Sequence, residues 1–333
     1  MPRRVGRPRN PTSISNNVMN DNEIKQERWT FPDIVSQTNS IDAAVTWLAK
    51  HRLISNSIVC PTCGEPCTVV RYQQSCDGRQ WGCAKDRFIM SIRKGSIFAG
   101  SHISLSKLIW LMYLWSREHQ QIEMSHETDV GERTISDWCH FIRERLEWFL
   151  EDHPTELGDD PPEIGGFDLD SGEPIIVEVG MFTFFKSKHN EKKHEKEGHM
   201  VFGGIERGTG KCFLVPIEHQ NKDAFEAIVT RWILPGTHIV SDVWAEYLQI
   251  DQIQQGIYTH EYIDYEDPND SEIHTRNIDK MWLKVKRKLR QKHGTRDKVT
   301  VQSLLTEFMW RSHFKNNDKF AALIYSLRHL YKL

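Results

Sequence analysis

The sequence predicts an α+β chain of several domains, and three observations carry that expectation. Five of the seven cysteines crowd between Cys60 and Cys83, which marks a small metal-stapled unit. Apolar residues recur at helical spacing from Ser104 to about residue 150. After an acidic stretch bearing Pro and Gly, strand-like and helix-like segments then alternate. With 333 residues, 38% of them hydrophobic and 27% charged, the chain is long enough for a core and smaller units beside it.

The formal charge of -3 argues neither for nor against a polyanionic partner, so distribution matters more than the sum. Nine Lys and Arg lie between Lys280 and Lys298 against Asp297 alone, and four Arg fall in the first nine residues. No apolar run approaches the ~20 residues of a membrane span, and the Met1-Pro2-Arg3-Arg4 start lacks the apolar stretch of a signal peptide. The expectation is an intracellular protein without membrane contact. An odd number of crowded cysteines there favours metal ligation over disulfides.

Residues 1–28, rich in Arg, Pro, Asn and Ser and without periodicity, read as a disordered basic arm. Within it, Val5-Gly6-Arg7-Pro8-Arg9 resembles the core of an AT-hook, in which Arg7 and Arg9 would enter a narrow A·T minor groove. A solvated basic tail or a nuclear-import signal is the alternative, and the nucleus is the expected compartment. Residues 29–57 form an N-terminal helical segment, with its helix from Ile41 to His51.

Residues 58–92 read as zinc-ribbon-like. Cys60-Pro61-Thr62-Cys63-Gly64 is a metal knuckle, and strands are expected at Thr68 to Tyr72, Gln80 to Cys83 and Phe88 to Ile92. Cys60, Cys63, Cys83 and Asp86 are the expected zinc ligands, with Cys67 or Cys76 as substitutes for the fourth and a metal-free relic as the alternative. Over residues 100–150, a short helix, a turn at Gly131 and a longer helix resemble a helix-turn-helix. Its second helix would offer Arg133, Thr134, Ser136 and Asp137 to a major groove; a plain helical packing unit is the alternative. Residues 151–173 read as an acidic linker.

Residues 174–315 form the expected α/β core. Ile175 to Val179, Met200 to Ile205 and Cys212 to Ile217 read as strands, and a helix capped by Asn221 stops at Pro235-Gly236. A strand from Thr237 to Ser241 ends in Asp242; a helix near Trp244 to Ile253, a strand near Tyr258 to Ile263 and a helix from Arg276 to Lys292 follow, before a C-terminal helix in 316–333. That order is the topology of ribonuclease-H-like nucleases and integrases. Asp242 and Asp279, on separate elements, are the acids expected to meet. Lys284, Lys286, Arg287 and Lys288, with Arg290, lie outside the apolar stripe of the last core helix and form a phosphate track.

Val201-Phe202-Gly203-Gly204-Ile205-Glu206-Arg207 through Phe213, Trp232 to Thr237, Ser241-Asp242-Val243-Trp244-Ala245-Glu246-Tyr247 and His274 to Trp282 resemble DDE transposases of the Merlin and ISXO2-like group. The resemblance covers about residues 58–314. It implies an enzyme in which three acids hold two Mg²⁺ ions for cutting and joining DNA, acting as a dimer or larger assembly. By that resemblance Asp242 is the second acid, Asp279 stands in place of the usual Glu, and Gly180 stands where the first Asp belongs. Glu178, two residues back on the same strand face, is the candidate substitute. The leading expectation is therefore a domesticated, catalytically inactive protein that binds double-stranded DNA. The alternatives are an active Mg²⁺-dependent transposase and a zinc-stabilised protein-interaction scaffold.

Overall fold

The computed structural model describes residues 13–152, 163–184, 199–218, 221–242, 249–263, 274–291 and 298–331. The chain divides into two compact units, one holding residues up to 145 together with those from 316 on, the other holding 146–315. Among the described residues, no helix is long and apolar enough to cross a membrane.

The first unit begins with three short helices, α1 (Asp21–Gln26), α2 (Phe31–Thr38) and α3 (Ile41–Lys50). Each has a side-chain cap, from Asn20, Thr30 and Ser40, and the first two are reciprocal capping boxes closed by Glu23 and Asp33. Such caps are worth about 1 kcal/mol each, which matters for helices this short. The arm expected over 1–28 thus holds a capped helix in its second half, whose Ile24 is fully buried. Arg7 and Arg9 lie outside the described residues.

A three-stranded antiparallel sheet follows, β1 (Thr68–Arg71), β2 (Arg79–Gly82) and β3 (Ile89–Ser91), with β2 in the centre. Arg93 locks it to the next segment: its guanidinium grips buried Asp77 (Nε to Oδ2, 2.6 Å) and donates to the carbonyls of Ser101 and Ile103. Three helices come next, α4 (Leu105–Ser116), α5 (Gln121–Thr128) and α6 (Glu132–Asp152). Asp129, in the left-handed region at φ 48°, ends α5 and makes the turn toward α6. Further along the chain, α10 (Lys319–His329) returns to this unit. Its Phe320 meets Trp29, Trp47 and Tyr113 with ring centroids 5.4–6.4 Å apart, and Asp318 binds Arg117 at 2.6 Å.

The second unit is a mixed five-stranded sheet in the order β10-β9-β5-β6-β7. These strands are β5 (Ile176–Phe184), β6 (His199–Glu206), β7 (Cys212–Ile217), β9 (His238–Asp242) and β10 (Thr259–Ile263). The first three form an antiparallel meander; β9 pairs parallel with β5, and β10 parallel with β9. On one face, α7 (Lys222–Trp232) sets Phe225 edge-on to Phe202 and stacks Trp232 on Phe213. The other face carries α8 (Arg276–Gln291), with α9 (Lys298–His313) beside it and against β7. Gly203 allows this approach, since a Cβ there would lie 2.8 Å from the Trp282 ring.

Two local differences from the sequence-based expectation have clear physical causes. The end of the expected linker contains β4 (Ile164–Gly165), which pairs with β8 (Ile233–Leu234). Gly165, at φ +88°, lies so close to Thr237 that a Cβ would sit 2.2 Å from its hydroxyl oxygen. The Gly165 N–H bonds Glu206 and the Gly166 N–H bonds Thr237, so this segment is tied down as a strap. The helix expected near Trp244 to Ile253 has, in its described part, a 3-10 turn at Ile250–Gln255. Positive φ at Gln249, Gln254 and Gly256 prevents an α-helix there.

Candidate functional site

The ribbon gathers its thiols by local means. The knuckle turn is closed by the Gly64 N–H to the Cys60 carbonyl at 2.9 Å and by the Cys60 N–H to the Glu65 carbonyl at 2.8 Å. Cys83 comes in just past the end of β2, bonded to the Phe88 carbonyl. The sulfurs of Cys60, Cys63 and Cys83 all lie within 4.8 Å of one another, and Cys63 and Cys83 are 3.4 Å apart. Four ligands at zinc–sulfur bond length would be about 3.8 Å apart, so these three side chains fit such an ion. Asp86 does not join the group; its Oδ1 accepts the Arg87 N–H at 2.7 Å. Nor do the other two candidates: Cys67 is fully buried, and Cys76 donates to the His102 carbonyl.

The charges in the knuckle are uneven. Burial disfavours the Cys60 thiolate, but the N–H groups of Cys63 and Thr62, together with the thiols of Cys63 and Cys83, outweigh it and hold Cys60 below the usual thiol range. For Cys63 the Glu65 N–H acts in the same direction, yet burial and the neighbouring sulfurs win and push it up to about 11. One site that favours a thiolate beside two held near it suits a cation that takes the negative charge of all three.

The carboxylate site is assembled over long range. Asp242 is the last residue of β9, paired with Ile263 on β10. Glu178 on β5 pairs with Val240, so continuing that register by two residues sets Gly180 level with Asp242. Asp279 stands in the first turn of α8. Its carboxyl is pushed up by burial, then by the negative charges of Asp242 and Glu178, which places the three acids in one electrostatic neighbourhood. Asp242 Oδ1 accepts from the Thr275 hydroxyl at 3.3 Å.

At the level of Gly180 no oxygen is offered. A Cβ there would meet Ile278 Cδ1 at 3.2 Å and Trp282 Nε1 at 3.5 Å, so the position faces the apolar stripe of α8. Glu178, two residues back, is fully buried and already engaged: Arg207 Nε and Asn277 Nδ2 donate to its Oε1 at 2.8 and 2.7 Å. The backbone N–H groups of Asn277 and Ile278 donate to its Oε2 at 2.8 and 2.9 Å. A pair of divalent cations takes oxygen donors on both sides, commonly through a carboxylate between them. Two carboxylates, a hydrocarbon-lined gap and a saturated Glu178 do not fit such a pair.

The candidate DNA-contacting residues fall in two places. On α6, Arg133 and Ser136 are exposed and Thr134 half-buried, while Ile135 is fully buried, as one face of an amphipathic helix requires. On α8, Lys284 and Arg287 are exposed, whereas Lys286 lies over the Phe182 ring at 5.5 Å. Lys288 is turned toward the protein, 2.8 Å from the buried Glu307. The residues that sequence reasoning passed over are Arg207, His274, Thr275 and Asn277, which surround Glu178 and Asp242. A charged residue within an otherwise apolar strand, Ile176-Val177-Glu178-Val179, was the available signal that partners had to exist.

No curated protein matches the chain. Residues 180–313 match the family model described as the ISXO2-like transposase domain, a span that starts at Gly180 and takes in Asp242, Asp279 and the whole of α8 and α9. Over that span, well under half of the chain, the sequence is similar to the ISXO2-like transposase domain.

Proposed function

We propose that this is a transposase-derived protein that binds double-stranded DNA and no longer cuts or joins it, retained by its host in the nucleus with zinc in its ribbon. The observation that carries the loss of chemistry is Gly180: the strand position level with Asp242 offers hydrogen toward Ile278 and Trp282 where a bridging oxygen belongs. Loss of even ~4 kcal/mol of transition-state stabilisation slows a reaction about 1000-fold. Glu178 does not compensate, because each of its oxygens already accepts two hydrogen bonds. DNA binding is supported by exposed Arg133 and Ser136 at the start of α6 and by exposed Lys284 and Arg287 on α8.

The test is incubation of the full chain with supercoiled plasmid and Mg²⁺ or Mn²⁺. No nicking that depends on Asp242 is expected, while duplex binding falls steeply with salt. Cleavage abolished by Asp242→Asn would restore the enzyme, and binding indifferent to salt would remove DNA as the partner. Terminal inverted repeats beside the gene would assign it to a mobile element instead of the host.

A further inference from the structure

Glu178 has an unusual set of partners for an acid on a strand. Arg276, Asn277 and Ile278 open α8, and the first N–H groups of a helix lack intrahelical acceptors. Two of these, on Asn277 and Ile278, are satisfied from the sheet by Glu178 Oε2. The residue in the capping position is Thr275, whose hydroxyl would ordinarily serve those amides. Its hydroxyl donates to Asp242 Oδ1. Arg207 completes the arrangement, since its Nε binds Glu178 Oε1 while its Nη2 donates to the His274 carbonyl at 2.5 Å, just before the helix. A buried anion is thereby balanced by a guanidinium and by the positive end of a 16-residue helix.

We propose that Glu178 is a positioning residue: it clamps the first turn of α8 onto β5 and so holds Asp279 opposite Asp242, with Thr275 bonded to Asp242 beside it. This rests on the reading of Gly180 as the vacated ligand position, and it deepens that reading by giving the neighbouring acid a different task. With about four acceptor sites on a carboxylate and four close donors, Glu178 is spent on geometry.

Two measurements on the full chain separate this role from the alternatives. In hydrogen exchange, Glu178→Gln leaves one neutral oxygen for four donors and sets an N–H₂ group against either the helix amides or the Arg207 and Asn277 donors, with the buried charge that faces the helix end removed. The amides of Asn277 to Met281 should then exchange at least about tenfold faster while β6 and β7 keep their protection. Should that variant fail to fold, Asn277→Ala keeps the charge pair with Arg207, removes one bond and should shift the same amides by a smaller factor. In a Gly180→Asp background that nicks plasmid with Mn²⁺, Glu178→Gln should lower the nicking rate by about 100-fold with DNA affinity unchanged. Thr275→Val, which removes the hydroxyl bonded to Asp242, should lower it by about tenfold with the Glu178-bonded amides of α8 still protected. A folded Glu178→Gln protein with unaltered exchange in α8 overturns the clamp. Nicking by the natural Gly180 protein that disappears in Glu178→Gln makes Glu178 a metal ligand and overturns both readings. If Gly180→Asp gains no nicking, the vacancy reading falls by itself, and the exchange result decides for or against the clamp.

Discussion

On the proposed readings, the thiol site in the ribbon and the carboxylate site in the core each lack one donor, and they lack it in different ways. In the ribbon, three sulfurs converge and the expected fourth ligand, Asp86, is present but turned to its own neighbour's backbone. In the core, two acids converge and the third position has no side chain at all. A ligand that is present can be recruited when an ion arrives, because a rotation about Cα–Cβ costs little beside metal–ligand bonding. A glycine can recruit nothing. The comparison teaches that a site drawn from one local turn and one hairpin survives the displacement of a ligand, whereas a site drawn from three separate elements depends on every one of them.

The largest expected effect breaks or confirms the ribbon half of that contrast. Structural zinc sites in small modules contribute about 10–16 kcal/mol of apparent binding free energy at neutral pH, so Cys60→Ala or chelation should unfold residues 58–92. Zinc content near one per chain, falling to none in Cys60→Ala with loss of the Trp81 near-ultraviolet signal, is the expected result; purified protein free of zinc with that signal intact would leave the ribbon self-supporting. Next in size, Gly180→Asp should confer Mn²⁺-dependent nicking absent from the natural protein and abolished again by Asp242→Asn. Gly180 has no positive φ, and the added Cβ asks Ile278 Cδ1 to move by only a few tenths of an ångström, so the variant should fold.

A third prediction separates binding from chemistry at the core site. Lys284→Glu with Arg287→Glu should weaken duplex binding and flatten its salt dependence by about one unit of slope for each charge removed. Lys288→Ala should behave differently, leaving the slope nearly unchanged and lowering stability by about 1–3 kcal/mol, because its ammonium is directed at Glu307. Equal salt slopes for the two kinds of variant would refute the division of labour along α8.

The smallest effect concerns Asp279. Its folded pKa is raised above the unfolded value, so the native state binds this proton more tightly, and stability from this group is greatest in acid and is lost as pH climbs through the folded pKa. Asp279→Asn should therefore raise the melting temperature at neutral pH, by no more than about 1–2 °C for an exposed carboxylate, and the gain should vanish in acid. A gain independent of pH would show that the charge of Asp242 does not reach Asp279.

Much of this architecture was readable in the sequence because it is written locally. The strands at Cys212 to Ile217 and Thr237 to Ser241, the Asn221 cap and the stripe Ile278, Trp282, Val285 and Leu289 all follow from period and cap chemistry. The knuckle at Cys60 and Cys63 was legible for the same reason. What escaped was long-range compensation. Nothing near Glu178 in the chain says that its donors come from residues 207, 277 and 278, and nothing near Gly165 says that Thr237 will press against it. Asp86 was read from spacing alone, and spacing does not report that the Arg87 amide offers the carboxylate a nearer partner.

The return of α10 to the first unit bears on how the molecule is made. Phe320 fills the space among Trp29, Trp47 and Tyr113, and Asp318 answers Arg117, so the N-terminal unit lacks part of its interior until residues 318–329 have left the ribosome. The segment 146–315 emerges earlier and holds its own sheet and helices. The unit that contains the earlier residues is thus completed after the segment 146–315, and a chain stopped before Asp318 would injure the first unit more than the second.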